Sequence, residues 1–403
     1  MTKLATDPVQ NLAALIRCAS VTPDEGGALT ALQAMLEPLG FSIERPVFRE
    51  AGTPDVENLL AVRGTAGTND ARHLAFAGHT DVVPPGDEAS WRHPPFSATI
   101  EDGEIHGRGA VDMKGGIACF VAAIARLATR GELPEGTLSL LVTGDEEGPA
   151  VNGTVKLLDF ATRRGHRFDA CVVGEPTSSK LIGDMVKVGR RGSLSGTVTV
   201  AGRQGHAAYP DRAANPMRVL PAVMEALQRE PLDAGTEAFQ PSNLEITTVD
   251  TGNRAGNVIP AKASLAFNIR HNDLWSAATL EAELRRRLDD AVPAEWSARG
   301  VTVRLDCMPT NADAFLTAEG DLTRSIGEAI HAVTGRRPDM STTGGTSDAR
   351  FIKTVCPVVE FGLVGSTMHM VDERVPLEDL ETLTRIYEDF VVRWFASADG
   401  APA

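Results

Sequence analysis

Apolar positions along the first two-fifths of the chain change their period several times. Val9, Leu12 and Leu15, then Leu29, Leu32, Leu36 and Leu39, recur every three or four residues, a spacing that puts side chains on one face of a helix. In HLAFAGHTDVV (73–83) and TLSLLVTGDEE (137–147) the apolar residues run consecutively and stop at polar ones, which predicts short buried strands. Between them, residues 114–131 carry a stripe of Ile117, Phe120, Val121 and Ile124 and read as a helix. FDACVVGEPT (168–177) is another buried strand that ends in charge. This alternation predicts an α/β fold with a mostly parallel, mixed sheet. Open sheets of that kind bind ligands outside the carboxyl ends of their strands.

Near residue 190 the pattern changes. SLSGTVTVAG alternates, Met217, Leu220, Met224 and Leu227 fall on one helical face, and NLEITTVD and AKASLAFNIR alternate again. A second helix follows at Leu280, Leu284 and Leu288, and VTVRLDC closes the set. The order βαββαβ predicts a ferredoxin-like split α+β domain, inserted as residues 191–305. Residues 1–190 and 306–403 then form one discontinuous domain. Its last helix buries Leu380, Leu383, Ile386, Phe390 and Trp394 ahead of a small-residue tail at 396–403. A chain of 403 residues exceeds one ordinary core, in agreement with two.

A composition of 42% hydrophobic and 23% charged residues is that of a globular chain, and the net charge of −15 repels polyanions. No Lys/Arg run relieves that repulsion, so nucleic acid is not an expected partner. No 18 apolar residues follow one another and the N-terminus lacks a small-residue cleavage site, so the expectation is a cytoplasmic protein without a membrane partner. Cys18, Cys119, Cys171, Cys307 and Cys356 stand singly, which suggests neither a disulfide framework nor a thiolate metal site.

Chemistry concentrates at the strand ends. His79 and Asp81 lie in GHTD, Asp112 in GRGAVDMKGG, Glu146 and Glu147 in TGDEEG, Glu175 in GEPT and His369 in GSTMHM. Singly, each has an ordinary reading as a structural histidine or a solvated acid. Together they would bury much uncompensated carboxylate, a cost that a bound cation removes. Imidazole and carboxylate without thiolate suit zinc or another borderline divalent ion. Two histidines and three acids exceed one tetrahedral catalytic ion but fit two ions sharing a carboxylate, for which Asp112, at a Gly-rich turn opening a helix, is the natural bridge. Asp81 would point away from a metal held by His79 and would instead hold that imidazole in one tautomer. Of the adjacent acids, Glu147 is assigned to the metal and Glu146 to the general base, which takes a proton from water made acidic by the ions.

These motifs, with DEEGPAVNGT (145–154), KVGRRGSLSG (187–196), GHAAYP (205–210), GNVIPAKASLAFNIR (256–270) and GGTSDARF (344–351), resemble the co-catalytic zinc aminoacylase and carboxypeptidase group over essentially the whole chain. The resemblance implies a zinc-peptidase-like catalytic domain with two Zn2+ per subunit, Co2+ being able to stand in the second site. One ion would be held by His79, Asp112 and Glu175, the other by Asp112, Glu147 and His369, with Glu146 as base. It further implies a homodimer through the inserted domain, which also acts as a lid, with His206 steadying the oxyanion in the opposite subunit. Read from its residues alone, the His206 segment is only a turn after a strand. The implied substrate is a small N-acyl, in particular N-succinyl, amino acid.

Substrate contacts implied in the same way are Arg190, Ser193, Tyr209, Asn257, Arg270, Gly345, Thr346 and Arg350. Arg270 lies opposite the core face of Leu265, Phe267 and Ile269, where a guanidinium either meets solvent or binds a carboxylate. One departure is Gly365, where the group often has an asparagine able to bond substrate. Three further readings compete: another N-acyl-amino-acid amidohydrolase of the same group, differing only in pocket residues; a metal-dependent binding protein without catalysis, against which an intact Glu146 argues; and a nucleotide-binding enzyme. The glycines of GRGAVDMKGG lack both the phosphate-loop and the dinucleotide spacing.

Overall fold

Buried apolar side chains form two separate clusters in the computed structural model, which describes residues 5–64, 72–310 and 312–397. The expected tail beyond residue 397 lies outside the described residues. Unit 1 comprises Met1–Val188, Thr317–Ser341 and Ser347–Ala403, and unit 2 comprises Gly189–Leu316 and Thr342–Thr346.

Unit 1 is built on an eight-stranded sheet in the order Ser42–Glu44, Leu59–Arg63, Thr137–Thr143, His73–His79, Ala170–Val173, Val358–Glu360, Met185–Lys187, Asp339–Ser341. Parallel pairings join the four central strands, Thr137–Thr143 to Val358–Glu360, and antiparallel ones bring in Leu59–Arg63 and Met185–Lys187 on either side. The consecutive apolar runs follow from this. Every residue of His73–His79 and Thr137–Thr143 is buried, as strands covered on both faces must be.

Phe76 stacks on Phe120 of the Lys114–Arg130 helix at 4.2 Å between ring centres, with Tyr387 of the Leu377–Ala396 helix edge-on to both. The Tyr387 hydroxyl donates to the Phe361 carbonyl at 2.6 Å, so the last helix is fastened to the loop after a central strand. Gly116 allows the Lys114–Arg130 helix to approach the strand ends, because a Cβ there would lie 2.3 Å from the Gly174 carbonyl oxygen. That approach sets the helix start beside Glu175.

Unit 2 has the chain order βαββαβ and the sheet order Asn243–Asp250, Lys262–His271, Gly192–Ala201, Thr302–Cys307, all antiparallel. The Lys262–His271 strand alternates strictly between buried and partly exposed residues, and the Leu220–Gln228 and Ala277–Asp289 helices contribute to the apolar cluster that its buried face joins. This is the split arrangement expected from the sequence. Two details differ. Met217 stands in a turn, Pro216–Arg218, and is 40% exposed, because the helix starts only at Leu220; Val219 and Val223 take the buried positions. Unit 2 also runs past residue 305 to Leu316, because Phe315 and Leu316 pair with Arg190 and Gly189.

Phe120→Ala, which empties a fully packed aromatic site, is expected to cost about 3–5 kcal/mol in unit 1. Urea unfolding followed by fluorescence and circular dichroism measures it, and a loss below about 1 kcal/mol would show that the stack is not a main support of the core.

Candidate metal centre

Three neighbouring parallel strands deliver the acidic cluster. His79 ends one, Glu146 and Glu147 follow the next after Thr143, and Glu175 follows Val173 of the third. Asp112 sits in the turn just before the Lys114–Arg130 helix, and His369 in a loop with a left-handed backbone, φ 60°.

The side chains converge. His79 Nε2 lies 3.2 Å from Asp112 Oδ1 and 3.7 Å from Glu175 Oε1. His369 Nε2 lies 3.2 Å from Asp112 Oδ2 and 2.8 Å from Glu147 Oε1. The two oxygens of Asp112 thus face different histidines. His79, Asp112 and Glu175 form one group whose ligand atoms all lie within 4.8 Å of one another, Asp112, Glu147 and His369 form a second, and His79, Glu146 and Glu147 a third. Each could hold a metal ion, and the first two share Asp112. His79 is buried, whereas the His369 side chain is 48% exposed, so the cluster is open on that side.

Asp81 acts on this cluster through two kinds of atom. Its backbone carbonyl lies 2.9 Å from His79 Nδ1, closer than its carboxylate at 3.6 Å. The carboxylate accepts from the backbone N–H of Glu146 at 3.3 Å and Glu147 at 3.1 Å, and from Thr22 Oγ1 at 2.8 Å. It therefore holds the backbone that carries the paired acids.

Charge in the cluster is out of balance. Burial pushes the Glu146 carboxyl up to about 8, helped by Asp348, Glu147 and Asp112, and burial with Asp112 drives Glu175 well above the carboxylate range. Burial pulls His79 down, but its bond to Asp112 and the nearby acids outweigh that and leave it raised. Bonds to Asp112 and Glu147 raise His369 to about 10. Without added cations the site thus holds protons, as expected of carboxylates lacking counter-charge. Imidazole and carboxylate donors in three overlapping groups, two of them sharing Asp112 and none containing a cysteine, fit two borderline divalent ions.

The candidate substrate residues divide between the units. Arg190, Ser193, Tyr209, Asn257, Arg270, Gly345 and Thr346 belong to unit 2, whereas Arg350 belongs to unit 1, with its guanidinium 3.9 Å from Asp348. His206, in unit 2, is exposed and accepts from the Ala208 N–H at Nδ1, 3.0 Å away, with the Tyr209 ring beside it at 5.6 Å. Asn257 accepts from Ala207 through its carbonyl, which ties the His206 turn to the loop before Val258. Ser193 accepts from Asn268 at 3.1 Å, and Arg190 donates to the Thr343 carbonyl at 3.4 Å.

Asp348, near Glu146, and Arg191, near Arg270, have no sequence signal of their own. Asp348, in the GGTSDARF segment, is buried close enough to raise Glu146. Arg191 is partly buried near Arg270, and burial and that second guanidinium both lower its pKa.

The sequence model of peptidase family M20/M25/M40 matches residues 75–393. Among solved structures, the chain is similar to aminopeptidase PepT from Bacillus cereus, with a TM-score of 0.75, 20% identity and coverage of 97% of this chain and 98% of that one. Human carnosine dipeptidase 1 superposes with a TM-score of 0.70 at 20% identity, covering 96% of each chain. A Bacillus subtilis protein described as a dinuclear metal binding peptidase from the M20 family gives 0.69 at 16% identity, covering 96% of this chain and 98% of that one. At such identities these likenesses concern the fold; the family match extends over well over half of the sequence, and the chain belongs to peptidase family M20/M25/M40.

Proposed function

We propose that this metallohydrolase is a succinyl-diaminopimelate desuccinylase, converting N-succinyl-L,L-2,6-diaminopimelate and water to succinate and L,L-2,6-diaminopimelate in lysine and diaminopimelate biosynthesis. The observation that carries the chemistry is Asp112 reaching two histidines with its two oxygens, which makes it the member shared by two ligand groups; Glu146, adjacent to Glu147, is then assigned to the base. His79, Asp112 and Glu175 would hold one Zn2+, and Asp112, Glu147 and His369 the other, where Co2+ can substitute. Bound there, the ions supply Lewis acidity for the amide carbonyl and lower the pKa of water toward neutrality.

Glu146 takes the proton of the attacking water and returns it to the departing amine. Its carboxyl is ionised for that role once divalent charge replaces the protons that burial otherwise favours. His206, from the opposite subunit of a homodimer whose contact lies in the inserted domain, steadies the oxyanion. Arg190, Arg270 and Arg350 supply guanidinium groups for the carboxylates of the substrate, and Ser193, Tyr209, Asn257, Gly345 and Thr346 complete its contacts. The choice of a succinyl substrate rests on the RRGS, GPAVNGT and GGTSDARF segments.

Hydrolysis of N-succinyl-L,L-diaminopimelate and N-acetylornithine by zinc-loaded and chelated protein tests the reading. Metal-dependent turnover of the succinyl compound is expected. Preference for the acetyl compound would leave the chemistry and move the substrate, and turnover of neither would favour a binding protein. Glu146→Ala is expected to lower kcat by about 10²–10⁴-fold while the zinc content stays at the wild-type level; an unchanged kcat would remove Glu146 from the mechanism.

The raised groups also set a pH dependence. Glu146, held at about 8, and His369, held at about 10, bind protons more tightly folded than unfolded. The stability each contributes is complete below its unfolded pKa and is lost as pH rises through the folded value. Histidines that burial holds low, such as His73 at about 4, and Lys114, held down at about 8, oppose the trend only weakly over this interval, because an unfolded imidazole is already half deprotonated at about pH 6.5 and the folded amine stays mostly charged below about pH 8. Metal-free protein is therefore expected to melt at a lower temperature at about pH 8 than at about pH 6.5. With zinc the order should reverse, because protons then compete with the metal. A metal-free melting temperature that rises over this interval, read by calorimetry, would contradict the charge imbalance.

A further inference from the structure

Four residues beyond His369 lies an acid that the chemistry above does not use. Glu373 is fully buried, and its carboxylate is surrounded by N–H donors from one short segment. Oε1 accepts from the backbone of Val111 at 2.8 Å and of Asp112 at 3.1 Å, while Oε2 accepts from the backbone of Gly109 at 3.0 Å and from Arg108 Nη1 at 2.7 Å. The Glu373 carbonyl also accepts from Gly107 at 2.9 Å, and Arg108 reaches the Met370 carbonyl at 3.2 Å. Gly109 has φ +82°, a left-handed conformation that lets the segment curl around the carboxylate, and a Cβ there would strike Val82 and the buried stem of Lys114.

The turn bearing Asp112 and the loop bearing His369 are thus locked to one another chiefly through the Glu373 carboxylate, with Arg108 beside it. Antiparallel pairing of Arg374–Pro376 with Glu104–His106 continues the same junction, so Glu373 stands where two strands meet two ligand loops. We infer that Glu373 is the positioning residue of the metal centre, fixing the carboxylate of Asp112 against His369 so that one group can serve two ions. The inference rests on the two-metal reading of the site. Arg108, 3% exposed at its side chain, supplies the charge that keeps Glu373 an acceptor of four bonds. A glutamine at 373 would turn its NH2 toward two of these donors and lose half of the set. An aspartate would retain the charge but draw back by one methylene.

The test measures zinc affinity by competition with a chromophoric chelator, together with the visible spectrum of the Co2+-loaded protein, for the wild type, Glu373→Gln and Glu373→Asp. The expected result is a roughly 10–100-fold weaker hold on the shared pair of ions and an altered cobalt spectrum, with kcat falling more than KM rises. Glu373→Asp carries the test if Glu373→Gln does not fold. Variants that bind two ions with wild-type affinity and spectrum, even with a lowered melting temperature, would overturn the inference and leave the metal reading standing. A wild-type protein that takes up no pair of ions would overturn both.

Discussion

The site rests on carboxyl groups that the fold brings together without enough positive charge to match them. Asp81, Asp112, Glu146, Glu147, Glu175 and Asp348 meet at the carboxyl ends of neighbouring strands, where His79 and His369 provide the facing imidazoles. Parallel strands covered on both faces leave little water beside Glu146 and Glu175, so these two carboxylates retain much of their desolvation cost. Proton uptake by Glu146 and Glu175 is one relief and divalent ions are the other. Only the second leaves Glu146 free to move a proton, so the charge imbalance and the proposed catalytic role have one origin.

Much of this was legible in the sequence, for a physical reason. Buried parallel strands read as unbroken apolar runs, and a run that ends in histidine or glutamate exposes its chemistry at the place where such sheets bind ligands. The alternating strands of unit 2 were legible because one face is packed and the other is not. Met217 misled because the spacing was right while Pro216 holds the chain in a turn. The extension of unit 2 to Leu316 depends on pairing between residues far apart in sequence, which no local pattern records.

The residues that support the site were the least visible. In DERV, Glu373 reads as a solvated acid, and nothing nearby in sequence reveals that its partners are Arg108 and three backbone amides. Asp81 was legible as a site residue but not as the acceptor for the amides of Glu146 and Glu147. Both anchor backbone, and a backbone donor has no residue type by which it could be recognised.

That asymmetry bears on which changes the site tolerates. Every residue but proline offers an N–H, so the donor positions 109, 111, 112, 146 and 147 are free in this respect, subject to whatever their side chains do. The acceptor positions are not free, because two oxygens that each accept while ionised are supplied only by a carboxylate. Residues 81 and 373 are therefore confined to acids by the backbone they hold, independently of any contact with metal or substrate. The candidate recognition residues lie mostly in unit 2, outside this set of constraints.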